Sequence, residues 1–87
     1  MYYVYVLVNE KGQSYTGYTA SLSERLAAHN LGKSAATRGH KWELVYCEAY
    51  KAEKDARLRE QQLKKSGQAR RWLRERIANS LVPGKES

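Results

Sequence analysis

Tyr3-Val4-Tyr5-Val6-Leu7 and, after a short polar segment, Tyr15-Thr16-Gly17-Tyr18 are the stretches that decide the fold. Residues of high β-propensity alternate from Tyr2 to Val8 and again from Ser14 to Thr19. Between them Asn9-Glu10-Lys11-Gly12-Gln13 supplies turn chemistry, which predicts two adjacent antiparallel strands. Side chains alternate faces along a strand, so Tyr3, Tyr5 and Leu7 share one face and Val4, Val6 and Val8 the other. The valines are expected in the core. Tyr15 and Gly17 share a face of the second strand, and whether this is the face of Tyr5 depends on a register that the sequence leaves open.

Outward from the hairpin, Ser21-Leu22-Ser23-Glu24 has the form of a capping box and predicts a helix to about Leu31, stopped at Gly32. At 100° per residue Leu22, Arg25, Leu26 and His29 fall within one arc, so an arginine and a histidine border the apolar stripe. Arg25 can snorkel from that edge and His29 can be a hydrogen-bonded boundary residue. Alternatively the i, i+4 pair holds one anion from two directions over the tyrosine face.

Gly32 to Lys41 has no hydrophobic period and reads as a loop. It is either a solvated connection or a phosphate-contacting flap through Lys33, Thr37, Arg38 or Lys41. Trp42 to Tyr50 alternates and predicts a third strand, with Trp42 and Tyr46 as core aromatics or base-stacking groups. A second helix is expected from Lys51 or Ala52 to Ser66, with Ala52, Ala56 and Leu63 as its apolar stripe. Glu60 falls in the middle of that stripe. A carboxylate there needs a partner, either an arginine such as Arg25 or a divalent metal such as magnesium. A third helix, Gln68 to Ser80, would bury Ala69, Leu73 and Ile77 and expose Arg70, Arg71, Arg74 and Arg76.

The 87 residues predict one domain at 1–80 with a flexible tail at 81–87, of a size that buries roughly 60% of its unfolded surface. The fold class expected is α+β, a small and mainly antiparallel three-stranded sheet flanked by helices in the order β-β-α-β-α-α. A single cysteine, Cys47, cannot form an internal disulfide, and the apolar N-terminal run is too short for a membrane span. These features lead us to expect a soluble, cytoplasmic protein. The formal net charge is +7. Eight basic residues between Arg57 and Arg76 face only Glu60 and Glu75, so the C-terminal helices carry a field suited to nucleic acid.

Taken in this order, the residues resemble the GIY-YIG nuclease domain, and most of all its small stand-alone bacterial members of the UPF0213 kind. Tyr3-Val4-Tyr5 stands where that family has Gly-Ile-Tyr, and Tyr15-Thr16-Gly17 where it has Tyr-Ile-Gly. Arg25 follows at the family's interval, His29 lies one helical turn on, and Ala56 to Lys64 is similar to the segment bearing the metal-binding glutamate. Tyr18 departs from the pattern, at a position where several nucleases place a lysine.

The resemblance implies a metal-dependent endonuclease that hydrolyses phosphodiester bonds in DNA, in repair or recombination. Its catalytic set would be Tyr5, Tyr15, Arg25, His29 and Glu60, with one Mg²⁺ or Mn²⁺ on Glu60. In these roles Arg25 clamps a phosphate oxygen, Tyr15 is the general base and Tyr5 orients water or phosphate, while His29 assists the phosphate or a proton relay. A phenol has an ordinary pKa of about 10, so a tyrosine base needs help from the metal, from Arg25 or from a neighbouring cation. Lys33, Arg38, Lys41, Lys64, Arg70 and Arg71 are the expected nucleic-acid contacts. DNA is the expected partner, with branched, single-stranded and RNA substrates open, and a protein partner could supply specificity. The competing readings are a non-catalytic nucleic-acid-binding module and an interaction domain that keeps the fold.

Overall fold

Val4, Val6 and Leu7 are almost wholly buried, because the strand that carries them lies between two others and is covered on both faces. The computed structural model describes residues 1–81. The elements are β1 (Tyr2–Asn9), β2 (Ser14–Thr19), α1 (Leu22–Asn30), β3 (Trp42–Tyr50), α2 (Glu53–Lys65), α3 (Gly67–Arg76) and a 3₁₀ turn (Ala78–Leu81). The sheet order is β2-β1-β3, and both pairings are antiparallel. This is the expected α+β architecture. The tail expected at 81–87 lies, apart from Leu81, outside the described residues, and Leu81 itself packs against the core.

The β1–β2 turn is built by Asn9. Its Oδ1 accepts the backbone N–H groups of Lys11 and Gln13 at 2.9 and 3.0 Å, and Gly12 takes the left-handed φ of 78° that closes the turn. Pairing across the hairpin sets Tyr5 opposite Gly17 and Leu7 opposite Tyr15, so both motif tyrosines lie on one face. Val4 and Val6 face the other way. They form the core with Ala56 and Leu63 of α2, Ala69 and Leu73 of α3, and Ile77.

Between Val6 and Leu7 the β1–β3 register shifts: Val6 pairs Tyr46 but Leu7 pairs Leu44. The extra residue, Val45, is a bulge, and it moves the following residues of β3 to the opposite face. Leu44 and Trp42 therefore join the tyrosine face, while Tyr46 and Tyr50 pack on the core. Simple alternation over the whole of Trp42 to Tyr50 is thus corrected.

The capping box is also corrected. Ser21 is the N-cap of α1 but makes no side-chain cap hydrogen bond. Its backbone N–H, which Glu24 would have accepted, donates instead to Thr19 Oγ1 at 3.1 Å. The other end of α1 closes as expected. Gly32 N–H donates to the His29 carbonyl at 3.1 Å and Lys33 N–H to that of Ala28 at 3.0 Å, with φ of 75° at Gly32, a Schellman closure. In α2, Ala52 is exposed rather than part of the buried stripe, because the helix begins one residue after it. The third helix ends at Arg76 and tightens into the 3₁₀ turn rather than running on to Ser80, and Ser66 caps its start by accepting the N–H of Ala69. No helix among the described residues is long and apolar enough to cross a membrane.

Candidate functional site

Three aromatic rings meet on the α1 side of the sheet. The Tyr15 and His29 ring centroids are 4.9 Å apart, those of Tyr5 and His29 5.8 Å, and those of Tyr5 and Tyr15 6.3 Å. Register and helix phase together produce this cluster. Tyr5 and Tyr15 come from neighbouring strands on one face, and His29 hangs from the last turn of α1 above them. Gly17, directly opposite Tyr5, is the clearance for it. An added Cβ at Gly17 would collide with the Tyr5 hydroxyl and approach its Cζ to 2.7 Å.

The Tyr5 hydroxyl is 2.8 Å from His29 Nε2, and His29 Nδ1 is 2.7 Å from Thr37 Oγ1. His29 is only 1% exposed and both its ring nitrogens are engaged, so its imidazole serves Tyr5 and is closed to an anion arriving from solvent. Of the two readings of His29, the hydrogen-bonded residue is the one found, and the alternative, a pairing with Arg25 around one anion, is corrected. Thr37 is corrected as well. It is fully buried, its hydroxyl is on His29, and its carbonyl accepts the Trp42 indole N–H at 2.8 Å, so it is no surface phosphate contact. Trp42 is buried against the same cluster, 6.3 Å from the Tyr15 ring, and its backbone pairs with the Asn30 side chain.

Electrostatics bring in the remaining two residues. Burial first, and then Tyr15, push the Tyr5 phenol up to about 12; the Arg25 charge acts on it in the opposite sense and that of Glu60 in the same. Tyr5 is thus a protonated hydrogen-bond donor at neutral pH. Burial, and then Arg25, hold His29 below its ordinary value, so the ring is neutral. Arg25 itself is exposed at the rim. Of the residues expected to act together, Tyr5, Tyr15 and His29 are in contact, while Arg25 and Glu60 act on the Tyr5 phenol through their charges.

Glu60 is half-buried on α2, and its side-chain partner is a lysine rather than the arginine anticipated. Lys64, one turn on, places Nζ 3.4 Å from Glu60 Oε2 and 5.6 Å from the Tyr15 ring centroid. Tyr18, at the family's lysine position, instead pairs with Val4 and packs against the core. The cation beside Tyr15 comes from a different element. The i, i+4 spacing from the anomalous glutamate is the signal that could have found it.

A single part-buried carboxylate fits a hard divalent cation that takes one or two carboxylates and completes its shell with water and substrate phosphate, provided that the Lys64 ammonium swings off Glu60. No group of three or more His, Cys, Asp or Glu residues that could hold a metal occurs among the described residues. A dedicated all-protein cage is thus not the arrangement that Glu60 belongs to. Of the other expected contacts, Lys33, Arg38 and Lys41 are exposed on the loop after α1, where the Arg38 guanidinium donates to the Gly32 carbonyl at 3.2 Å. Arg70 donates to the Leu63 and Lys64 carbonyls, while Arg71 is exposed.

The sequence of the GIY-YIG catalytic domain matches residues 1–74. The chain belongs to the GIY-YIG family. Within it, a UPF0213 protein of Clostridium perfringens is 42% identical over 67 residues, covering 75% of this chain and 72% of that protein. A UPF0213 protein of Halobacterium salinarum is 36% identical over 73 residues, covering 82% of this chain and 95% of its relative. Among solved structures, the solution NMR structure of a UPF0213 protein of Bacillus halodurans superposes with a TM-score of 0.56 at 31% identity, over 98% of this chain and 92% of that one. The family motifs map onto the cluster: Tyr3-Val4-Tyr5 on β1 and Tyr15-Thr16-Gly17 on β2 are the paired GIY-YIG strands.

Proposed function

We propose that this GIY-YIG domain is a metal-dependent endonuclease that hydrolyses phosphodiester bonds in DNA, in repair or recombination. The observation that supports this reading is the contact of Tyr5, Tyr15 and His29 on one face of the sheet, with the charges of Arg25 and Glu60 acting on the Tyr5 phenol.

Hydrolysis needs a water oxygen to bond to phosphorus, the bond to the leaving oxygen to break, and the water proton to be taken up. Glu60 would hold one Mg²⁺ or Mn²⁺, which when bound supplies Lewis-acid stabilisation of the charge on the phosphate and leaving oxygen. Arg25, exposed at the rim, would clamp a non-bridging oxygen with its planar fork. Tyr15 would take the water proton, and Lys64 is the cation that stands beside its ring. Tyr5, held protonated, would orient the water or the phosphate. Buried and neutral, His29 would fix the Tyr5 hydroxyl without touching substrate.

The test is incubation of the purified chain with labelled single-stranded, duplex and branched DNA and an RNA set, in Mg²⁺, Mn²⁺ or EDTA, beside Glu60→Gln. The expected result is metal-dependent cutting that Glu60→Gln abolishes while duplex binding is kept. Equal cutting by the variant removes Glu60 as the metal ligand. Salt-sensitive binding without cutting in either protein would make the chain a non-catalytic nucleic-acid-binding module.

A further inference from the structure

Helix α3 exposes one large apolar side chain, Trp72, 61% accessible, on its otherwise charged outer surface. Removing an indole from water is worth several kcal/mol, so a solvent-facing tryptophan is an unused binding group. Its surroundings say for what. Gln68, Glu75 and Arg76 share its face of the helix, and Arg71 stands on the adjoining one. The ion pairs among the described residues engage Glu10, Glu48 and Glu60, none of which neutralises Arg71, Arg74 or Arg76. Trp72 is thus a single flat aromatic on a helix of net positive charge, with one guanidinium, Arg76, and one carboxylate, Glu75, beside it.

We propose that Trp72, with Arg76 one turn along its own face and Arg71 on the adjoining one, is a stacking platform for an unpaired base of a nucleic-acid strand. An aromatic face takes any base, and the arginines take the backbone phosphates on either side. The inference rests on the reading of the chain as acting on nucleic acid and adds that the substrate carries a single-stranded segment.

The only other tryptophan, Trp42, is buried, so collisional quenching by acrylamide reports mainly on Trp72. Short oligothymidylate, blunt duplex and heparin would be titrated against the whole chain and against Trp72→Ala and Trp72→Phe, with circular dichroism as the folding control. The expected result is that oligothymidylate quenches the fluorescence and shields Trp72 from acrylamide, whereas heparin binds through charge alone and shields it little. Trp72→Ala should weaken oligothymidylate binding about five- to a hundred-fold, leave heparin and duplex binding nearly unchanged, and be largely rescued by Trp72→Phe. Parental oligothymidylate affinity in Trp72→Ala, with binding by the parent intact, overturns the stacking site alone. Shielding of Trp72 that depends on protein concentration rather than oligonucleotide assigns the face to a second copy. Failure of the parent to bind any of the nucleic acids overturns this proposal and the nuclease reading together.

Discussion

The Tyr5 hydroxyl donates to His29 Nε2 across 2.8 Å in the interior, and the direction of that bond is set from the far side of the ring. Thr37 Oγ1, 2.7 Å from Nδ1, directs its own proton to the Ser34 carbonyl at 3.5 Å. It therefore accepts from Nδ1–H and leaves Nε2 to receive the phenol. Thr37→Val keeps the shape and leaves a buried N–H without an acceptor, at an expected cost of about 1–3 kcal/mol in urea denaturation. Unchanged stability would mean that the hydroxyl does not hold the tautomer. The same burial makes a pH prediction. Because the folded-state pKa of His29 is depressed, the unfolded chain binds the extra proton first. The contribution is present above about 6.5, the unfolded value, and is lost as pH falls through the depressed one. His29→Gln should remove that limb from a plot of stability against pH.

Gly17 is opposite Tyr5 for a steric reason, since an alanine methyl would overlap the phenol head. Gly17→Ala must push the Tyr5 ring off its line to His29 or bend the edge strand, with an expected cost of about 1–3 kcal/mol. Chemical shifts of the His29 ring nitrogens would report the loss of the Tyr5 bond, and cutting, if the nuclease reading holds, should drop with it. Parental shifts and stability in the variant would show that β2 yields without disturbing Tyr5.

At the other end of the sheet, Glu48 joins β3 to α2. It accepts from Tyr46 at 2.6 Å and Tyr50 at 2.5 Å, and Arg59 Nε donates to it at 2.9 Å. Burial raises the Glu48 pKa, but the bonds from Arg59, Tyr46 and Tyr50 outweigh it and hold the carboxyl below its ordinary value. Burial and then Glu48 push both phenols up to about 12. The signs are opposite. The carboxylate contributes above its unfolded value of about 4.3 and its contribution is lost as acid protonates the folded form, whereas the phenols contribute below about 10 and lose that contribution as pH rises towards 12. Thermal melts across pH should show both limbs. Glu48→Gln should remove the acid one and lower stability near neutrality by about 2 kcal/mol, a figure moderated by the partial exposure of the pair. A variant that keeps both limbs would place the titration elsewhere.

The strands and helices were legible in the sequence because their periods are long and their turns carry Gly, Asn and Ser at the ends. The bulge at Val45 was not, since inserting one apolar residue into an alternating run of Leu, Val and Tyr leaves no mark in composition. The capping box failed because Thr19, two residues before the cap, reaches the same donor. In the candidate site, Arg25, His29 and Glu60 stood out in the sequence by their odd placement, yet the contact of His29 with both tyrosines depended on the Tyr5–Gly17 register. Thr37 gave no signal at all. A threonine in a polar loop looks solvated until the chain folds it under Trp42.

Arg70 and Arg71 are adjacent in the chain and separable in function. Arg70 Nη1 donates to the Leu63 and Lys64 carbonyls at 3.0 and 2.6 Å, closing the C-terminus of α2 next to the lysine that faces Tyr15. Arg71, exposed like Arg70, makes no such bond to a carbonyl among the described residues. Arg70→Ala should therefore destabilise the fold by about 1 kcal/mol and loosen the end of α2. Arg71→Ala should leave stability unchanged and flatten the dependence of nucleic-acid affinity on salt by about one unit of slope, on all sequences alike. Urea denaturation beside binding titrations at several salt concentrations reads both effects. An equal loss of slope in the two variants, with neither destabilised, would mean that the Arg70 guanidinium leaves the α2 carbonyls for phosphate when nucleic acid binds.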